Sequence, residues 1–159
     1  MHPTQNTLPE AVRSQSVEVL NLHLAAAIDL HGQVKQAHWN VRGPGFFAVH
    51  TLFDSVSEAV EGFSDELAER AGALGGTAYG TIQTAVKRSF LLPYPIAIAD
   101  EQKHIFAVSA ALAAFGQSVR GASTKVAGFG DADTADLLTE ISRGIDKQLW
   151  FIESHAAPK

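Results

Sequence analysis

Four long helices in an all-α bundle, with an extended crossover between the second and third that carries a short helix, account for this 159-residue chain. Two observations carry that reading. Apolar residues recur at alternating threes and fours through four separate stretches, the spacing of a buried helix face. Gly and Pro cluster between the stretches, and about twenty residues divide the second from the third, a length unusual in a compact domain unless the chain crosses over something.

Residues 1–6 show no periodicity and read as a mobile tail on a single domain spanning 1–159. Thr7 and Glu10 read as a capping box with Pro9 in the first turn, which starts the first helix near Leu8. Val17, Leu20, Leu24, Ala27, His31, Val34 and His38 form its core-facing stripe, so both His31 and His38 are expected to point away from bulk water. His31 reads as a hydrogen-bonded core residue or a support for a ligand, and His23, off the stripe, as a surface residue. Gly43, Pro44 and Gly45 end this helix, with Asn40 as its C-cap or turn residue, and so short a connection makes the next helix an antiparallel neighbour. Phe53, Val56, Val60, Phe63, Leu67 and Leu74 mark the second helix over 46–74, which Gly72, Gly75 and Gly76 terminate. The crossover runs to Pro95, with a short helix over 81–89, and it allows the second and third helices to run parallel. Ile105, Val108, Leu112, Phe115 and Val119 mark the third helix from Asp100, broken at Gly128 and Gly130. Asp131, Asp133 and Asp136 open the fourth, which continues through Leu137, Ile141, Ile145 and Leu149 to about Ser154. Acidic residues in a first turn satisfy free amides and the macrodipole.

A second stripe runs along the second helix. His50 and Asp54 are four apart, as are Asp65 and Glu69, so each pair projects from one face. Asp54 and Asp65 are eleven residues apart, three turns, which leaves them on one face but roughly 16 Å apart along the axis. One ion cannot touch both. A two-fold axis bringing antiparallel copies of this helix together would set His50 and Asp54 of one chain against Asp65 and Glu69 of its mate. His38 joins the first half, because the short turn folds the end of its helix toward His50. Such a nitrogen and oxygen set suits Fe(II), with zinc and manganese as competitors. An equally weighted alternative makes His50 and Asp54 a helical surface pair and Asp65 and Glu69 ordinary solvated charges.

Five further residues are read structurally. Glu61, on the same stripe midway between the pairs, is a solvated glutamate before it is an auxiliary metal carboxylate. Arg70 is expected to pair with a carboxylate and orient it. Trp39 is a packing residue at the corner. Glu101 and His104 make a lone E-x-x-H, half of what a site inside one bundle would require, so His104 reads as a helix-face or capping residue.

HWNVRGPGFFAVHTLFD followed by DELAERAGALGG, with DTADLLTEISRGIDKQLWFIES near the C-terminus, resembles the Dps family of proteins that protect DNA in starved cells, from about Val17 onward. The resemblance implies a ferritin-like four-helix bundle and a ferroxidase site with iron (Fe2+/Fe3+) as its metal. It implies His38, His50 and Asp54 from one subunit and Asp65 and Glu69 from its two-fold mate as ligands. It further implies hydrogen peroxide as the usual oxidant, mineral storage in a hollow twelve-subunit shell, Trp39 as an oxidisable group that intercepts radicals, and a three-fold pore for iron near Asp131, Asp133 and Asp136.

Composition narrows the rest. With 46% apolar residues the chain can bury a core, and without Cys there is neither a disulfide nor a thiolate site. The N-terminal segment lacks the pattern of a signal peptide and no apolar run approaches the ~18 residues of a membrane helix, so no membrane role and a cytoplasmic location are expected. A net charge of -5 argues against a phosphate-seeking surface. DNA compaction is the alternative function, disfavoured because residues 1–12 hold no Lys or Arg and the C-terminal ESHAAPK offers one Lys against one Glu. Hydrolase and nucleotide-binding motifs are absent.

Overall fold

The computed structural model describes residues 1–156; Lys159, weighed above for DNA binding, lies outside them. Its helices are α1 (Glu10–Asn40), α2 (Phe46–Ala73), the short α3 (Ile82–Arg88), α4 (Glu101–Phe129) and α5 (Ala132–Glu153), with no strand among the described residues. The main pairs are α1 with α2 and α4 with α5; contacts of α1 with α4 and α2 with α5 close the bundle, and α3 lies on α1. Leu20, Leu30, Phe53, Val60, Leu112, Phe115, Ile141 and Ile145 fill its centre with no exposed surface. Each such side chain contributes about 1.5–3 kcal/mol of transfer free energy.

The crossover returns the chain to the end where α2 began. Arg42 N–H donates to Ala99 at 2.8 Å and Glu101 N–H donates to Arg42 at 3.1 Å, the hydrogen bonds of an isolated bridge between Arg42 and Asp100. Helices α2 and α4 therefore start side by side and run parallel. This junction also settles how α2 is capped. Gly45 at its N-cap has no side chain to offer and its first turn holds no acid. Glu101 supplies both, accepting the Gly45 N–H at 2.8 Å and placing negative charge at the positive end of the macrodipole. Gly43 makes room, since a Cβ there would lie 2.4 Å from the Glu101 carboxylate.

Several sequence expectations are corrected. The Thr7 and Glu10 capping box does not form: α1 starts at Glu10 after Pro9, with no side-chain cap, because a residue preceding proline is pushed out of the helical region and Leu8 cannot begin a helix. Instead Leu8 N–H donates to Asn6 Oδ1 at 3.0 Å. The exposed residues 1–5 are tied through His2, whose N–H donates to the Gly75 carbonyl at 2.6 Å and whose Nε2 lies 3.3 Å from Thr77 Oγ1. His23, read as surface, is 2% exposed. It bridges α1 and α4, with Nδ1 2.8 Å from the Val19 carbonyl and Nε2 3.0 Å from Ser118 Oγ. Helix α1 touches α2, α3 and α4, so its buried face is wider than one stripe. His31 errs the other way: it is half-buried and lines a groove between α1 and the crossover. His104, read as a helix-face or capping residue, lies on the inward face of α4 at 1% exposed, and the cap of α4 is Asp100. Finally, α4 is long and apolar enough to cross a membrane by length and composition, with an 18-residue window of mean hydropathy 1.3. Ile105, Val108, Leu112, Phe115 and Val119 bury one side of it in the bundle.

Burial holds His23 below the ordinary histidine range, against the opposing hydrogen bonds from Val19 and Ser118, and burial lowers His104 likewise. Unfolding frees both to protonate near their usual pKa of about 6.5, so the unfolded state binds more protons below that pH. Stability is full at neutral pH and falls as pH drops through about 6.5 toward the lower folded-state values. Thermal unfolding across that range is expected to show this slope, and His23→Phe to flatten it. Glu101→Ala is expected to cost about 1 kcal/mol through the lost α2 cap, read by denaturant unfolding.

Candidate metal centre

His38 ends α1 and His50 stands in the second turn of α2, facing each other across the Gly43 to Gly45 corner. Their rings stack with centroids 3.8 Å apart and planes 20° apart. Each Nδ1 lies 2.9 Å from the other residue's backbone carbonyl. A carbonyl only accepts, so both Nδ1 atoms carry hydrogen and both Nε2 atoms hold the lone pair of a neutral imidazole. The His38 carbonyl is one that the end of α1 leaves without a helical donor, because Arg42 N–H turns away to Ala99.

Asp54, one turn after His50, brings Oδ1 to 3.9 Å from His38 Nε2. Lys35 Nζ sits 2.7 Å from the same oxygen. That hydrogen bond from Lys35 is the main cause holding the Asp54 carboxyl below its usual range; desolvation opposes it and the Lys35 charge adds to it. Lys35 Nζ also lies 5.8 Å from the centroid of the Trp39 ring, which is 68% exposed. The ring of Phe46 lies 5.0 Å from that of His50.

The structure thus brings His38, His50 and Asp54 together within one chain. Asp65 and Glu69 lie exposed farther along α2, and three helical turns separate Asp65 from Asp54 by about 16 Å. Among the described residues no group of three or more His, Asp or Glu could hold a cation within a single chain. Glu61 is exposed and forms no ion pair among the described residues.

The aspartates at the start of α5 divide. Asp133 and Asp136 are exposed, but Asp131, grouped with them as a pore residue, is 1% exposed and fully engaged. It accepts from Thr134 N–H at 3.1 Å, from Thr134 Oγ1 at 2.6 Å and from Arg70 at 3.0 Å. Burial alone would raise its carboxyl, but the Thr134 hydrogen bonds, then Ser16 and the Arg70 charge, outweigh burial and hold it low. Arg70 does pair with a carboxylate, as its position suggested, and that carboxylate belongs to α5. Lys35 and Glu101 are the residues whose importance the spacing missed. Lys35 lies three residues before His38 on a helix, a position from which a lysine can reach a ligand.

Comparison with known proteins bears on the family and the fold. A ferritin-like domain model matches residues 17–157. A DNA protection during starvation protein of Agrobacterium fabrum is 39% identical over 158 residues, covering 99% of this chain and 98% of that one. The chain belongs to the Dps family of ferritin-like proteins. Another DNA protection during starvation protein, from Mycolicibacterium smegmatis, is 30% identical over 93% of this chain and 80% of its own length. Among solved structures, a Mycobacterium smegmatis Dps superposes with a TM-score of 0.92 at 30% identity, covering 98% of this chain and 88% of that one. Dps from Microbacterium arborescens in its high iron form gives 0.87 at 31% identity, covering 96% and 98%.

Removing Arg70 leaves Asp131 as a buried carboxylate held by Thr134. With the Arg70 side chain 19% exposed, Arg70→Leu is expected to destabilise the chain by about 2–3 kcal/mol, below the full cost of breaking a buried pair. Because the folded Asp131 pKa is depressed, its contribution holds above the unfolded value of about 3.9 and is lost as pH falls below it. Denaturant unfolding of wild type and variant at neutral pH and in acid is the measurement.

Proposed function

We propose that this Dps-family chain stores iron and acts as a ferroxidase whose reaction centre forms between two copies. Fe(II) is the substrate, and hydrogen peroxide takes one electron from each of two ferrous ions, so that little hydroxyl radical escapes. Fe(III) then hydrolyses and is stored as mineral inside a hollow homo-oligomeric shell of twelve subunits. Iron storage and protection from oxidative damage are the broad part of this reading, supported by family membership. The ferroxidase step rests on one observation: two imidazoles locked by backbone carbonyls, neither Nε2 hydrogen-bonded among the described residues, with a carboxylate oxygen 3.9 Å from that of His38.

His38, His50 and Asp54 are one chain's share of the ligands and anchor one ferrous ion once the mate is in place. Asp65 and Glu69 of a two-fold mate bind or bridge the second position, completing shells that neither copy closes alone. Locked Nδ1–H groups keep each ring in the metal-binding tautomer and spare the cost of fixing it on binding. Lys35 neutralises Asp54 until a cation takes its place. Five ligands over two ions leave open positions for peroxide. Asp133 and Asp136, exposed at the start of α5, attract cations toward a three-fold entrance.

Complementation tests the shared centre. His50→Ala with Asp54→Ala in one chain, or Asp65→Asn with Glu69→Gln in another, is expected to slow peroxide-driven Fe(II) oxidation at least about 100-fold. When the two double variants are co-assembled at random, half the pairs are mixed and each mixed pair rebuilds one of its two centres. Activity should then recover to roughly a quarter of wild type. Undiminished oxidation by either variant alone, or no recovery on mixing, defeats the proposal.

A further inference from the structure

Tyr94 and His104 form a buried pair that the metal centre does not use. Tyr94 closes the crossover and His104 stands in the first turn of α4, with the Tyr94 Oη 2.6 Å from His104 Nδ1 and the two rings stacked at 6.0 Å. His104 is 1% exposed, and its Nε2 is buried without a hydrogen-bond partner among the described residues. The carbonyls of Ile98 and Asn40 face the ring without completing a bond to that nitrogen, and the Asp100 carboxylate lies nearby. Asn40 is two residues from His38, so the pair sits at the end of the bundle that carries the candidate centre. Tyr94 itself is half-buried and lines a cavity of about 240 Å³ with Pro93, Pro95, Phe106 and Ala110, and also the groove on the other side with Ile28 and Gln36.

We infer that Tyr94 and His104 are a redox-active pair, in which Tyr94 gives an electron to oxygen-centred one-electron oxidants, of the hydroxyl or carbonate radical class, while its proton passes to His104 Nδ1. The step balances: the Tyr94 O–H bond breaks, an N–H bond forms on His104, and one electron converts hydroxyl radical to hydroxide. Neutral Tyr94 and His104 become a neutral phenoxyl radical and an imidazolium. A phenol with no base must first become a radical cation, and a positioned imidazole removes that barrier as any general base does. The surroundings suit both ends of the step. Burial keeps the phenol protonated and the imidazole neutral at rest, and the groups facing His104 are two carbonyl acceptors and a carboxylate, which stabilise the cation once formed. The cavity that Tyr94 lines gives a small oxidant a route to that side chain.

Tyr79, the other tyrosine, has none of this. It is 47% exposed, its hydroxyl makes no hydrogen bond among the described residues, and its ring lies 5.9 Å from the Arg88 guanidinium, whose charge opposes loss of an electron.

The test uses the metal-free full-length protein and carbonate radical generated in solution by flash photolysis, so its outcome is independent of the ferroxidase reading. Transient absorption follows phenoxyl formation, and electron paramagnetic resonance of frozen samples identifies it. Wild type should form phenoxyl with a solvent deuterium isotope effect, Tyr79→Phe should retain it, and Tyr94→Phe should lose it. His104→Gln should slow formation on Tyr94 by on the order of a hundredfold and abolish the isotope effect. A phenoxyl signal that survives Tyr94→Phe and disappears in Tyr79→Phe overturns the inference, as does unchanged kinetics in His104→Gln. Tyr94→Phe removes a single hydroxyl, so the two tyrosine variants decide the matter even where His104→Gln does not fold.

Discussion

Two hydrogen bonds, from each of His38 and His50 through Nδ1 to the other's carbonyl, decide what this corner of the molecule can bind. Free histidines exchange their hydrogen between the two ring nitrogens and rotate. Here rotation is blocked by the stacked partner ring, and exchange is blocked because a carbonyl cannot donate. What emerges is one lone pair on the Nε2 of each ring, with that of His38 3.9 Å from the Asp54 carboxylate. The same two bonds join the last turn of α1 to the second turn of α2, so the geometry that readies the donors also closes the helical hairpin.

Around that corner, polar groups substitute for what local sequence lacks. Helix α2 opens on glycine and takes its cap from Glu101 of α4. Helix α5 opens on Asp131, which its own Thr134 satisfies and Arg70 of α2 neutralises. One end of α2 is thereby fastened to α4 and the other to α5. The helix carrying His50, Asp54, Asp65 and Glu69 is fixed at both termini, which keeps the two halves of the stripe at a constant separation. A separation that cannot shrink means that no single ion reaches both pairs within one chain.

Much of this was legible from spacing alone. Helix positions, the parallel course of α2 and α4 and the common face of His50 and Asp54 follow from a period of threes and fours and from the distribution of Gly and Pro. What spacing could not convey was partnership across helices. Glu101 and His104 looked like half of a metal motif, yet one caps a neighbour and the other bonds a tyrosine ten residues earlier. Asp131 looked like Asp133 and Asp136 but is buried beneath Arg70, a residue sixty-one positions away. His23 fell off the expected stripe because a helix with three neighbours has no single inside. The false capping box shows the opposite limit, where a local rule, the exclusion of helix before proline, overrode a local motif.

The cap that α2 borrows has a bearing on the order in which the molecule is made. During synthesis the chain exposes His38, His50 and Asp54 well before residue 101 has been added, and at that stage the first turn of α2 has open amides and a glycine-rich approach free to fray. Only when α4 swings back along the crossover does Glu101 close that turn. The corner that carries His38, His50 and Asp54 is therefore finished only with the completed bundle.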